Sequence, residues 1–146
     1  MKSIISKPMV LITICTTLFS FSPNPGGEGF EIYLNNKAVI QQYGNEMNIV
    51  KSLHLNQGSS DDQLTIKYHH CGKVGKNRII AIKDGQNKVL KEFRYADVAT
   101  PFAAMALKIK DIIYLGKANN NSLKLFYSSS ELQDGRVLAT ISLAAD

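Results

Sequence analysis

From Leu64 to His69 the side chains take turns between oil and water: Leu64, Ile66 and Tyr68 alternate with Thr65, Lys67 and His69. The same period of two returns in Met105–Lys110, where Met105, Leu107 and Ile109 alternate with Ala106, Lys108 and Lys110, and again at Leu123, Leu125 and Tyr127. It returns once more with Val137, Ala139, Ile141 and Leu143 set against Arg136, Leu138, Thr140 and Ser142. Successive strand residues point to opposite faces, so this pattern predicts half-buried β-strands. No segment keeps a helical period over three turns. Asp111–Leu115 is read as a single helical turn at most.

Turn residues divide the rest. Phe30–Leu34 and Ala38–Gln42 flank Asn35-Asn36, two residues that tolerate the left-handed backbone of a tight hairpin. Ile49–Leu55 precedes a polar loop, Asn56–Gln63. Arg78–Lys83 and Lys88–Tyr95 flank the turn Asp84-Gly85-Gln86-Asn87, and Asp134-Gly135 is expected to turn the chain before its last strand. About nine short strands at this spacing indicate an all-β chain. A sheet with one apolar face cannot hide that face alone. The expected architecture is therefore an antiparallel two-sheet β-sandwich, immunoglobulin-like or jelly-roll-like. With two cysteines and no tryptophan, the Cys…Trp…Cys pattern of true immunoglobulin domains is missing. A closed barrel is the alternative.

The first 22 residues stand apart. Met1-Lys2 and Lys7 give a positive start, Met9–Phe21 runs apolar or hydroxylic without a charge, and Ser20 and Ser22 are small. This is the three-part pattern of a secretory signal peptide. The run is shorter than the roughly 20 residues a spanning helix needs. Residues 1–22 are thus expected to be a signal peptide, 23–29 a flexible leader around Pro23-Asn24-Pro25-Gly26-Gly27, and 30–146 one β-sandwich domain. The expected location is exported, periplasmic or secreted, with no transmembrane segment after cleavage. A retained N-terminal anchor, or a lipid on Cys15, is the competing reading of the same segment. Loss of Lys2 and Lys7 lowers the net charge from +5 to +3, too mild a balance to argue for a nucleic-acid partner.

Cleavage would leave one cysteine, Cys71, in Tyr68-His69-His70-Cys71-Gly72. If the strand continues, His69 and Cys71 share a face and offer nitrogen and sulfur to one metal, copper(I) or zinc. Two ligands do not make a site. With Leu55 paired to Leu64 across the loop, His54 would stand roughly 13 Å from His69 at strand rise, too far to be the third. The plain alternatives are a small buried hydrophobe at Cys71 or a disulfide to another chain. Gly72–Arg78 resembles a phosphate loop only superficially: the spacing is wrong and Asn77 stands where Ser or Thr would meet magnesium, so a mobile solvated turn is expected. No G-x-S-x-G element accompanies the serines. Glu28, Glu31, Glu131 and Asp134 are scattered with nothing to pair them, and His70 faces away from Cys71 on a strand. The chain is therefore read as no enzyme, with no catalytic residue and no cofactor beyond the possible copper or zinc. Tyr33, Tyr43, Tyr95 and Phe126 are candidates for outer faces, where aromatic rings could serve carbohydrate binding. Asn120-Asn121-Ser122 is a glycosylation sequon in an expected loop.

At Gly29–Asn36, His70-Cys71-Gly72, Val89–Glu92 and Tyr127–Ser129 the chain resembles small exported proteins of Bacteroidota of unknown function. The resemblance implies a periplasmic or secreted setting and brings no activity with it. The functional expectation is a non-catalytic interaction module of the envelope or extracellular space, partnered by another protein or an envelope component. Sheet edges or the loops 56–63, 72–78 and 116–122 are the expected contact points. The rivals are a metal or thiol module centred on His69 and Cys71, and a carbohydrate-binding module.

Overall fold

The computed structural model describes residues 27–144. The expected signal peptide, most of the leader and Cys15 lie outside the described residues. Nine strands, one short 3-10 turn and one helix build an all-β sandwich of two sheets. The strands are β1 (Gly29–Leu34), β2 (Lys37–Tyr43), β3 (Lys51–Asn56), β4 (Gln63–His69), β5 (Arg78–Lys83), β6 (Val89–Tyr95), β7 (Met105–Lys108), β8 (Ser122–Ser129) and β9 (Leu132–Ala144). One sheet has the order β2-β1-β4-β7, the other β3-β9-β8-β5-β6.

Local chemistry sets the hairpins. Asn35 and Asn36 both adopt positive φ, +48° and +66°, which matches the right-handed twist of the flanking β1 and β2. At the β5–β6 turn the Asp84 carboxylate accepts the backbone N–H groups of Gln86 and Lys88, each at 2.9 Å. Every pair is antiparallel except β3 with β9, which run parallel from Lys51↔Ala139 to Asn56↔Ala144. The expected two-sheet sandwich is thus present, with this one parallel pairing inside it. The expected pairing of Leu55 with Leu64 is corrected, because β3 and β4 belong to different sheets.

The inward residues Phe30, Ile32, Leu64, Ile66, Ile80, Ile82, Met105, Leu123 and Leu125 form one core between the sheets. The expected inward set of β9 is corrected too. Leu125 pairs with Ala139 but Phe126 pairs with Val137, so Leu138 is an extra residue in the ladder and turns inward, fully buried. The β8–β9 hairpin turns at Ser130 and Glu131 rather than at Asp134-Gly135. Gly135 instead sits inside β9 at φ +66°, beneath the Phe126 ring. The chain between Met105 and Lys117 differs in kind from the expectation. β7 stops at Lys108 and a nine-residue helix α1, Ile109–Lys117, follows. It buries Ile109, Ile112, Ile113 and Gly116, a stripe at i, i+3, i+4 and i+7. Gly116 lets the helix approach Leu143 of β9, whose Cδ1 a Cβ would meet at 2.3 Å.

β6 and β7 are neighbouring edges of opposite sheets. The Tyr95 hydroxyl donates to the Ala106 carbonyl at 2.9 Å and ties them together. Tyr95 is therefore a packing residue, not an outer platform. The connection from Ala96 to Ala104 is held by Arg78, buried on β5, whose guanidinium donates to the carbonyls of Ala96 at 2.9 Å and Ala103 at 3.0 Å. Among the described residues no helix is long and apolar enough to cross a membrane.

Candidate functional site

The outward positions of β1 are Glu31 and Tyr33, and those of β4 are Thr65, Lys67 and His69. Register brings them side by side, with Glu31 opposite Lys67, Tyr33 opposite Thr65, and Gly29 opposite both His69 and Tyr43. Gly29 has no side chain, so the Tyr43 ring from β2 lies flat across it. A Cβ there would stand 2.1 Å from Tyr43 Cδ1. The hydroxyls of Tyr33 and Tyr43 each donate to one oxygen of the Glu31 carboxylate. His69 meets the edge of Tyr43 at 5.6 Å between centroids, and Phe102 leans over His69 at 4.3 Å and 34°. Phe102 comes from the loop that Arg78 clamps and remains 46% exposed. Tyr33, Tyr43, His69 and Phe102 thus form an aromatic surface around one carboxylate, on the outside of the four-stranded sheet.

Electrostatics follow the contacts. Burial alone would raise the Glu31 pKa, but the two tyrosine hydroxyls, with the charges of His69 and Lys67, outweigh it and hold the carboxyl below its ordinary value. Tyr33 is pushed up mainly by its bond to that carboxylate; Tyr43 is pushed up by burial first and by Glu31 second. Burial lowers His69, helped by Lys67 and opposed by Glu31, which lies 3.9 Å from its Nε2. The neutral imidazole is therefore favoured near neutral pH. Beside Tyr33 a depression of about 360 Å³ is lined by Tyr33, Asn36, Gln63, Thr65, Lys67 and Ala104. The Lys67 Nζ stands 5.2 Å from the Tyr33 ring centroid.

His70 and Cys71 occupy a different place. β4 ends at His69, His70 makes an isolated bridge with Lys73, and Cys71 has φ +52°. The strand alternation that would have aimed His69 and Cys71 together does not reach Cys71. Cys71 is a free, exposed thiol rather than a buried hydrophobe. It lines a cleft of about 290 Å³ with Glu28, His70, Lys73, Glu131 and Leu132. His54 sits on the other sheet, bonded to the Ser142 hydroxyl. Among the described residues no three of His, Cys, Asp and Glu gather as metal ligands.

At this end of the sandwich polar side chains knit the two sheets together. His70 Nε2 shares a hydrogen bond with the Tyr127 hydroxyl at 2.8 Å and lies 3.4 Å from Ser129 Oγ. Tyr68 stacks on Tyr127 at 4.3 Å and donates to Glu28, which Arg136 reaches at 3.4 Å. Burial pushes the Tyr127 hydroxyl up to about 12, and burial, with Arg78 and His69, lowers His70 against the pull of Glu131 and Glu28. The glycine-bearing segment 72–78 is tethered here, contrary to the expected mobile turn. The Glu131 carboxylate accepts the Lys76 N–H, Asp97 accepts the Asn77 N–H, and the Asn77 amide donates to Ser130.

Sequence reading placed Tyr33 and Tyr43 on an outer face, as the structure does. It reads Glu31 as scattered and singles out none of Lys67, Thr65, Gln63 and Phe102, which the structure places on the same outer face or its rim. Alternation already turned Glu31, Tyr33 and Lys67 outward; the missing information was which strands stood next to each other. Phe126, the other aromatic candidate, lies over Gly135 with Lys83 Nζ 3.4 Å from its ring centroid. No family model matches the chain, and no curated protein matches it significantly.

Proposed function

We propose that the chain is a non-catalytic, exported interaction module that binds an envelope or extracellular component through the outer face of its four-stranded sheet. The observation that carries this reading is the grouping of Tyr33, Tyr43, His69 and Phe102 around Glu31 on an outward surface the core does not need. A sheet face turned to water requires only solvated side chains, as β3 and β9 illustrate with Ser52 against Thr140 and His54 against Ser142. Partly exposed aromatic rings, two of them held by hydrogen bonds to Glu31, supply contact area at little ordering cost. Export is supported by the positive start and apolar run of Met1–Ser22.

The absence of a catalytic role is supported by how the buried serine–imidazole pair, Ser129 with His70, is used. Ser129 Oγ accepts the Leu132 N–H at 3.2 Å, and His70 is shared with Tyr127, so both groups are engaged in holding the sandwich closed.

A photocrosslinking side chain placed at Thr65, and separately at Thr140 on the opposite outer face, tests the reading in the native host. A discrete adduct from position 65 that is absent from position 140, and is lost with Phe102→Ala, is the expected result. Equal adducts from both positions, or none from position 65, would refute it.

A further inference from the structure

The depression beside Tyr33 has a lining with a definite chemical bias. Lys67 supplies one positive charge, while Asn36, Gln63 and Thr65 supply neutral donors and acceptors; no carboxylate lines it. Glu31, the nearest acid on this face, accepts two tyrosine hydroxyls and makes no ion pair with Lys67, although its charge is felt there. Lys67 has no carboxylate within 4 Å among the described residues. Tyr33 and Ala104 form an apolar wall. The volume of about 360 Å³ falls at the small end of ligand sites, suited to a single ring with its substituents.

The walls are also fixed beforehand. The Asn35 side chain accepts the Gln63 N–H at 3.0 Å, and the Asn35 N–H donates to the Gln63 carbonyl at 3.0 Å, so the β1–β2 turn and the start of β4 hold each other. Resting on the reading that this sheet face binds a ligand, we propose that the depression takes a carboxylate-bearing sugar residue, a uronic acid unit of an envelope or extracellular glycan. The Tyr33 ring meets the apolar face of the sugar. Its hydroxyls bond to Gln63, Thr65 and Asn36, and its carboxylate pairs with Lys67. One lysine among neutral amides and a hydroxyl balances a single negative charge, where a phosphate monoester would bring nearly two.

The test titrates the full chain with oligogalacturonate and with a neutral galactose oligomer of equal length, by calorimetry and by tyrosine fluorescence, since tryptophan is absent. The acidic oligomer should bind roughly two- to fivefold more tightly than the neutral one, the worth of one part-exposed ion pair. Lys67→Gln should erase that preference, Tyr33→Ala should weaken both oligomers, and Lys51→Gln on the other sheet should change neither. Gln63→Ala, at the exposed rim, repeats the test if loss of Tyr33 disturbs folding. Equal binding of the two oligomers at this face, lost with Tyr33→Ala or Gln63→Ala, overturns the uronic acid inference and leaves the face reading standing. Binding indifferent to Tyr33 and Gln63 alike overturns both. No binding of either oligomer overturns the inference, and the crosslinking at Thr65 then decides the face by itself.

Discussion

Replacing Arg78 with methionine should loosen the connection from Ala96 to Ala104 and lower global stability together. The guanidinium makes two charge-assisted bonds, to the carbonyls of Ala96 and Ala103. Bonds of this kind contribute about 1.5–3 kcal/mol each, so the gross loss is about 3–6 kcal/mol. Three effects oppose it. Methionine removes a buried charge whose Nε has no partner among the described residues, and it keeps much of the aliphatic packing. The two carbonyls can also reach water once the loop lifts. A net destabilisation of about 2–4 kcal/mol is expected, read from the urea midpoint at unchanged slope. Hydrogen exchange should rise most across the 96–104 connection, and the His69 ring resonances should shift as Phe102 leaves them. Arg78→Lys should recover only part of the loss, because one ammonium cannot span two carbonyls as the planar fork does. An Arg78→Met protein within about 0.5 kcal/mol of the parent, with unchanged exchange across the connection, would refute the clamp.

Leu138→Ala should cost about 2–5 kcal/mol, as much as Leu107→Ala, because both side chains are buried in the core; a near-neutral Leu138→Ala would return that residue to the outer face. Gly29→Ala should cost about 1–3 kcal/mol, because the new methyl meets both the Tyr43 ring and, at 2.9 Å, the Gln42 carbonyl oxygen. Near-ultraviolet circular dichroism should report the displaced tyrosine, and an unchanged spectrum would mean that Tyr43 does not lie across the glycine. Stability should fall on acidification. His69 and His70 are held below 6.5 by burial, so the unfolded chain binds their protons first and the loss begins as the pH drops through about 6.5. Glu31 and Glu131, held below 4.5, continue the loss in the same direction. Urea midpoints at about pH 7.5 and 5.5 check this, and an equal or higher midpoint at the lower pH would contradict it.

How much of this was legible in the sequence depends on range. Alternation at Leu64–His69 and Leu123–Tyr127 gave strands and their inward faces because side-chain direction is a nearest-neighbour property. Asn35-Asn36 marked its hairpin because positive φ leaves few residue choices. The bulge that turns Leu138 inward left no local mark, since it arises from the pairing of β9 with β8. The helix at Ile109 was masked by its own apolar residues: Ile109, Ile112 and Ile113 fit a helical stripe, but Met105, Leu107 and Ile109 fit a strand as well, and the two patterns overlap at Ile109. For the candidate site, composition named the tyrosines while only register could bring Glu31 to Lys67 and Gly29 to Tyr43. Nothing local announced Phe102, which reaches His69 from a loop held by an arginine in another strand.

The parallel pairing of β3 with β9 bears on how the molecule comes into being. β9 stands between β3 and β8, so the last of the nine strands is also an interior one of its sheet. Until it arrives, β3 has no partner along its length and β8 lacks one of its two neighbours. A chain in which β9 has not yet docked therefore has an open seam between β3 and β8. Deleting the β9 residues that pair with β3 should therefore leave a sheet split in two rather than one merely trimmed.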